Sequence, residues 1–201
     1  MFPHHIRYFC GSSLFMHSLI IFASGAGSNA AAIITYFKQN GKAKVSLIVS
    51  NKADAGVLDI AKREEIPFLI INKQTLNGTL LIEQMNDYKP SLIVLAGFMW
   101  KVPASIVLAF HGKIINIHPA LLPGYGGKGM YGHHVHNAVV SAKEKESGIT
   151  IHYVNEVYDD GNIILQARCP VQAKDTPDEL ATRIHRLEHF YYPRAIEFLL
   201  S

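Results

Sequence analysis

The sequence predicts an α/β fold: a Rossmann-like, doubly wound, mostly parallel sheet with a mixed C-terminal end. Three observations carry this. Short apolar runs alternate with helical segments, the pattern of strands joined by helical crossovers. The runs are continuously apolar, as strands covered on both faces are. The last two runs flank a turn at Asp159-Asp160-Gly161, which makes them a hairpin. Apolar residues form 49% of the 201 residues and charged residues 17%, so a sizeable core can be buried and wholesale disorder is excluded.

The elements follow in order. Residues 18–24 (SLIIFAS) are the first strand, ending at Gly25. Residues 29–39 are a helix, stopped by Asn40-Gly41. A strand over 44–50 (KVSLIVS) leads to a helix over 55–65, which ends before Pro67. Residues 68–71 are the third strand. One helix is predicted over 76–88, with Gly78 near its start and Pro90 beyond its end. Residues 91–96 (SLIVLA) are the fourth strand. A short helix over 103–110 has Pro103 in its first turn. Residues 113–117 (KIINI) are the fifth strand. A glycine-rich loop over 124–132 (GYGGKGMYG) precedes a helix over 133–143. It is read as a lid or as a surface Ω-loop. Strands over 148–154 and 163–170 follow. A long helix over 176–200 closes the chain, with Thr176 as its N-cap, Pro177 first and Glu179 completing a capping box.

Residues 1–17 (MFPHHIRYFCGSSLFMH) have no clear period. They are expected to be a disordered or non-native extension, with Met16 as a second candidate start. A signal peptide with Arg7 at its charged end and cleavage near Ala23 would destroy the first strand, so it is rejected. Residues 18–201 are read as one domain.

The formal net charge of +3 permits anionic small-molecule substrates and gives no nucleic-acid footprint. No apolar run reaches the roughly eighteen residues of a membrane span. Two cysteines, Cys10 and Cys169, cannot build a disulfide framework or a thiolate zinc site. A reducing, cytoplasmic setting is expected.

On doubly wound sheets the ligand sits beyond the carboxyl ends of the strands. The first such end is Ser24-Gly25-Ala26-Gly27-Ser28-Asn29. Its glycines admit a ligand close to the backbone, and the helix that opens at Ser28 and Asn29 offers free N–H groups to an anion. The third glycine of a dinucleotide fingerprint is replaced by Ala30, and Asn51-Lys52 stands where an acidic residue is required. The turn therefore suits a single phosphate; a plain connecting turn is the alternative. The second such end is Asn116-Ile117-His118-Pro119. Residues two apart on a strand share a side, so Asn116 and His118 present their side chains together while Ile117 faces the core. An amide that polarises a carbonyl beside an imidazole that moves a proton is an acyl-transfer kit. The alternative is a strand end that satisfies loop backbone.

The longer string Asn116-Ile-His-Pro-Ala-Leu-Leu-Pro123 resembles the signature of the folate-dependent formyltransferases. Supporting segments are Gly25-x-Gly-Ser-Asn29, Ser50-Asn-Lys-Ala-Asp54, Leu95-Ala-Gly-Phe-Met99, Asp159-x-Gly161, Ile164-Leu-Gln166 and Glu188-His189. The resemblance covers nearly all of the chain from Ser18 onward. It implies formyl transfer from 10-formyltetrahydrofolate, a cosubstrate, to the amine of 5'-phosphoribosylglycinamide in purine biosynthesis. The catalytic residues it implies are Asn116, His118 as general acid, and Asp159, a carboxylate that favours the imidazolium. Asp159 is preferred to Asp160 because the family's carboxylate lies two residues before the glycine. For the ribonucleotide it implies Gly27, Ser28 and Asn29 on the phosphate and Glu188 on the ribose, with His185 near the phosphate. For the folate it implies Met99, backbone groups of Trp100, Lys101 and Val102, and Asn116. Position 100 is often Arg in relatives and is Trp here, so only a backbone contact carries over. No metal, nucleic acid or membrane is implied, and the chain is expected as a monomer or homodimer. His133, His134 and His136 could hold an adventitious metal at most, and His134 is expected near the site. Alternatives are a formyltetrahydrofolate hydrolase, a sugar-nucleotide formyltransferase, or a non-catalytic nucleotide-binding module.

Overall fold

The computed structural model describes residues 16–201. The expectations for residues 1–15, including Arg7 and Cys10, lie outside the described residues. Seven strands form one sheet: β1 (His17–Phe22), β2 (Ala43–Ser50), β3 (Phe68–Ile70), β4 (Leu92–Leu95), β5 (Ile114–His118), β6 (Glu146–Tyr153) and β7 (Ile163–Pro170). The helices are α1 (Ser28–Asn40), α2 (Gly56–Arg63), α3 (Lys73–Asn77), α4 (Thr79–Asp87), α5 (Ala104–Ala109), α6 (His133–Ser141) and α7 (Pro177–Leu200). The spatial order is β3-β2-β1-β4-β5-β6-β7. β1 to β5 are parallel to one another, and β6 pairs antiparallel with both β5 and β7. The chain winds outward from β1 to β3 and resumes on the other side at β4. The strand order therefore reverses between β1 and β4, and a crevice opens at their carboxyl ends.

The continuous apolar runs do become two-faced burial. Leu19, Ile21, Val94, Ile115 and Ile117 pack with α1 and α7 residues such as Ile33, Ile184 and Tyr192. Ile20, Phe22, Val49, Ile93 and Ile114 pack on the other face with Leu81, Met85 and Ile106. Burial at roughly 25 cal/mol per Å² of apolar surface is what holds these layers together.

Three local expectations are corrected. The single helix over 76–88 is two helices, because Gly78 is extended (φ −86°, ψ 156°) and breaks the run. Asn72, whose Oδ1 accepts the Thr75 N–H at 2.8 Å, starts the first of them early. Pro103 is the N-cap of α5 and lies outside its first turn. His17 lies inside β1 and outside the extension to which the sequence allots it, its N–H bonded to Lys42 O at 3.0 Å. The capping box at Thr176 and Glu179 is formed, and α7 continues through a buried Pro193.

Candidate active site

A cleft of about 660 Å³ opens over the carboxyl ends of β1, β4 and β5. Every predicted site residue lines it: Gly27, Ser28, Asn29, Met99, Trp100, Lys101, Val102, Asn116, His118, Asp159 and Glu188. His185 lines it too.

The turn after β1 forms one end. Gly27 sits at φ +81°, and a Cβ there would fall 2.8 Å from Val57 Cβ, so only glycine fits this approach of α2. No side chain caps α1, and the first N–H to bond back is that of Ala31, to Gly27 O at 2.9 Å. The first-turn amides thus remain for an anion. Asn29 Nδ2 donates to Glu188 Oε2 at 2.8 Å, which joins α1 to α7 across this end. Burial raises the Glu188 carboxyl above its ordinary range, against the opposing pull of Asn29 and His185. His136, not His134, faces the cleft, because α6 buries His136 and leaves His133 and His134 outside. Burial, with His185 and His133 adding to it, lowers the His136 pKa to about 4.

The wall beside β5 carries the candidate reactive groups. His118 is only 3% exposed. Its Nε2 lies 2.7 Å from Tyr125 O, and a carbonyl only accepts, so Nε2 carries the proton of the neutral ring. Nδ1 then faces Asp159 Oδ2 at 3.6 Å. The Asp159 carboxylate does not by itself leave His118 as an imidazolium. Burial lowers the His118 pKa by more than Asp159 and the Tyr125 carbonyl raise it, so the resting ring is neutral at pH 7. Burial also pushes the Asp159 carboxyl upward, but His152, His118 and the Gly127 N–H together hold it below the ordinary range. That N–H donates to Asp159 Oδ2 at 2.9 Å. Asp160 is exposed and pairs with Asn155 Nδ2 at 3.3 Å.

Sequence reasoning missed His152. It pairs with Asn116 in the antiparallel register of β5 and β6 and is buried. Its Nδ1 donates to Tyr153 O at 2.8 Å, so its Nε2 accepts from Asn116 Nδ2 at 3.2 Å. Asp159 Oδ1 is 3.7 Å from the same nitrogen. Asn116, His152, Asp159 and His118 therefore form one chain of polar contacts. The available signal was an imidazole in a strand of otherwise apolar and small residues; its target was not visible without the register. The turn after His118 is held by Thr150 Oγ1, which donates to Ala120 O at 2.7 Å and accepts the Leu122 N–H at 3.0 Å.

The opposite end is apolar. Met99 is 44% exposed in the cleft, and its N–H is taken by Ser24 Oγ at 2.9 Å. Trp100 packs edge-on to Phe98, with ring centroids 6.4 Å apart, and its N–H and C=O remain on a loop that lines the cleft. Lys73 Nζ lies 6.0 Å from the Trp100 ring and Lys101 Nζ 5.4 Å from that of Tyr158. Among the described residues no group of three or more His, Cys, Asp or Glu side chains is placed to hold a metal ion. No helix among them is long and apolar enough to cross a membrane.

The profile of the formyl transferase family matches residues 17–196. The chain is 40% identical over 185 residues to the chloroplastic phosphoribosylglycinamide formyltransferase of Arabidopsis thaliana, covering 89% of this chain and 63% of that protein. It thus spans under two thirds of that plant relative. It is 38% identical over 192 residues to the phosphoribosylglycinamide formyltransferase of Bacillus subtilis, covering 92% of this chain and 96% of that one. The crystal structure of the protein of that name from Bacillus halodurans superposes with a TM-score of 0.83 at 35% identity, covering 92% of this chain and 95% of that chain. A profile match running from β1 into α7, with this identity across almost all of a bacterial relative, establishes that the chain belongs to the formyl transferase family.

Proposed function

We propose that this protein transfers a formyl group from 10-formyltetrahydrofolate to the amine of 5'-phosphoribosylglycinamide, a step of purine biosynthesis. The observation that carries the reading is that Asn116, His118 and Asp159 meet in the cleft that also holds the first turn and Glu188. The names of the bacterial relatives support it.

The α1 N-terminus at Gly27, Ser28 and Asn29 takes the phosphate, and Glu188 takes the ribose hydroxyls. The pterin lies at the Met99 end against backbone groups of Trp100, Lys101 and Val102. The amine nitrogen bonds to the formyl carbon, and the formyl oxygen gains negative charge. Asn116 spends one Nδ2 hydrogen on His152 and has the other for that oxyanion. Neutral His118 takes the amine proton at Nδ1 and becomes an imidazolium held by Asp159. It then acts as general acid: the same proton passes to N10 as the C–N10 bond breaks. Atoms and charge balance with no covalent enzyme intermediate. We place the reaction in the cytoplasm, on the sparing use of cysteine.

A spectrophotometric assay of the deformylated folate tests this. Release that requires the ribonucleotide is expected. Release without it would mean a hydrolase, and none in either case would mean another acceptor or a binding module.

A further inference from the structure

Tyr192 is fully buried, yet it carries a hydroxyl that a phenylalanine at that position would spare. The hydroxyl sits between two strands: it donates to Leu95 O at 3.0 Å and lies 3.3 Å from Ile115 O. Leu95 is the last residue of β4, and Ile115 directly precedes Asn116. The β4–β5 pairing ends at Leu95 opposite Asn116, where the cleft begins. One turn earlier on α7, on the same helix face, Glu188 enters the cleft and holds Asn29. A single helix face thus touches both the ribose end of the cleft and the backbone that presents the reactive amide.

We propose that Tyr192 is a positioning residue: its hydroxyl ties α7 to the end of β4 and to β5 at the residue before Asn116, and so sets the span between the Glu188–Asn29 seat and Asn116. The inference rests on the proposed function, because the span matters only if the amine held at one end must reach a carbonyl polarised at the other. A reacting group misplaced by about 1 Å costs up to about a hundredfold in rate.

The test is Tyr192→Phe, which keeps the ring and deletes the tie. Expected is a fall in kcat of about tenfold or more, with KM for the ribonucleotide within about twofold. The Asn116 side-chain amide resonances should move in the NMR spectrum of the free protein. Replacing Tyr192 with 4-aminophenylalanine, which restores a donor, should recover most of kcat. An unchanged kcat, a loss confined to melting temperature, or a rise in KM alone would each overturn the proposal. Wild-type protein without formyl transfer would sink the functional reading instead, and the Asn116 resonances would still report on the tie.

Discussion

At the scale of single residues, burial and hydrogen bonding decide what each ionisable group can do. His118 is neutral at rest because desolvation outweighs Asp159, which suits its proposed part as a group that first accepts a proton. Asp159→Asn removes the charge that opposes desolvation. The His118 titration followed by NMR should then move to lower pH, and turnover should fall about a hundredfold or more. His118→Ala should cost about 10²- to 10⁴-fold in kcat and leave the melting temperature nearly unchanged. Near-normal turnover in either variant would remove that residue from the mechanism. His136 makes a stability prediction. Its folded pKa of about 4 lies below the ordinary histidine value of 6.5, so the unfolded chain binds a proton that the native state refuses. Its contribution is therefore complete above about pH 6.5 and is lost as the pH falls toward 4. At pH 4.5 the loss should be about 2.5 kcal/mol in denaturant unfolding, and His136→Leu should flatten that part of the profile. An unflattened profile would mean that His136 is not buried neutral.

At the scale of elements, the site depends on how strands end and helices begin. The turn into α1 can serve as the proposed anion seat only while Gly27 keeps its left-handed conformation against Val57. Gly27→Ala should cost about 1–3 kcal/mol and raise the ribonucleotide KM, because the amides of the first turn are re-aimed. Wild-type kinetics in that variant would separate the turn from the phosphate. Thr176→Ala breaks the capping box of α7 far from the chemistry. About 1 kcal/mol of stability should go, seen as a few degrees in melting temperature, with kcat unchanged. The loop after β6 has the opposite character. Asp159 holds φ +53°, and a Cβ at Gly161 would fall 1.7 Å from Tyr153 O. The chain is thus forced into a tight turn that aims the carboxylate at His118, with backbone strain of the order of 1 kcal/mol accepted at the site.

At the scale of the whole molecule, the proposed function asks one cleft to hold two substrates end to end. Its polar end draws on α1, α6 and α7, its wall beside His118 on β5, the segment after β6 and the 124–132 loop, and its apolar end on the segment after β4. A ligand that bridges so many elements should stabilise the fold as a unit. Ribonucleotide at about a hundred times its Kd should add about 2.7 kcal/mol and raise the melting temperature by roughly 5–10 °C without folate present. No shift would argue that the phosphate end is not a preformed site.

Much of this was legible before any coordinates. The strand and helix order followed from continuous apolar runs, caps and glycine stops, because those signals act over a few neighbouring residues. The pairing of Asn116 with His118 was legible because alternation along a strand is local geometry. The resemblance carried Asp159 and Glu188, which composition and spacing alone would have left as a turn acid and a helix-face acid. The split at Gly78 was missed because a glycine near a helix start fits both a continuous helix and a break, and only its extended backbone decides. His152 was missed because strand register joins residues that are distant in the chain. The protonation state of His118 is not legible in the sequence, because a sequence names the neighbouring charge and not the depth of burial. The amino-acid order by itself determined the α/β class, the parallel winding and the residue types at the strand ends, all consequences of local periodicity. Tertiary structure alone decided which side chains meet, how dry they are and which nitrogen carries the proton, because those depend on contacts between residues far apart in sequence.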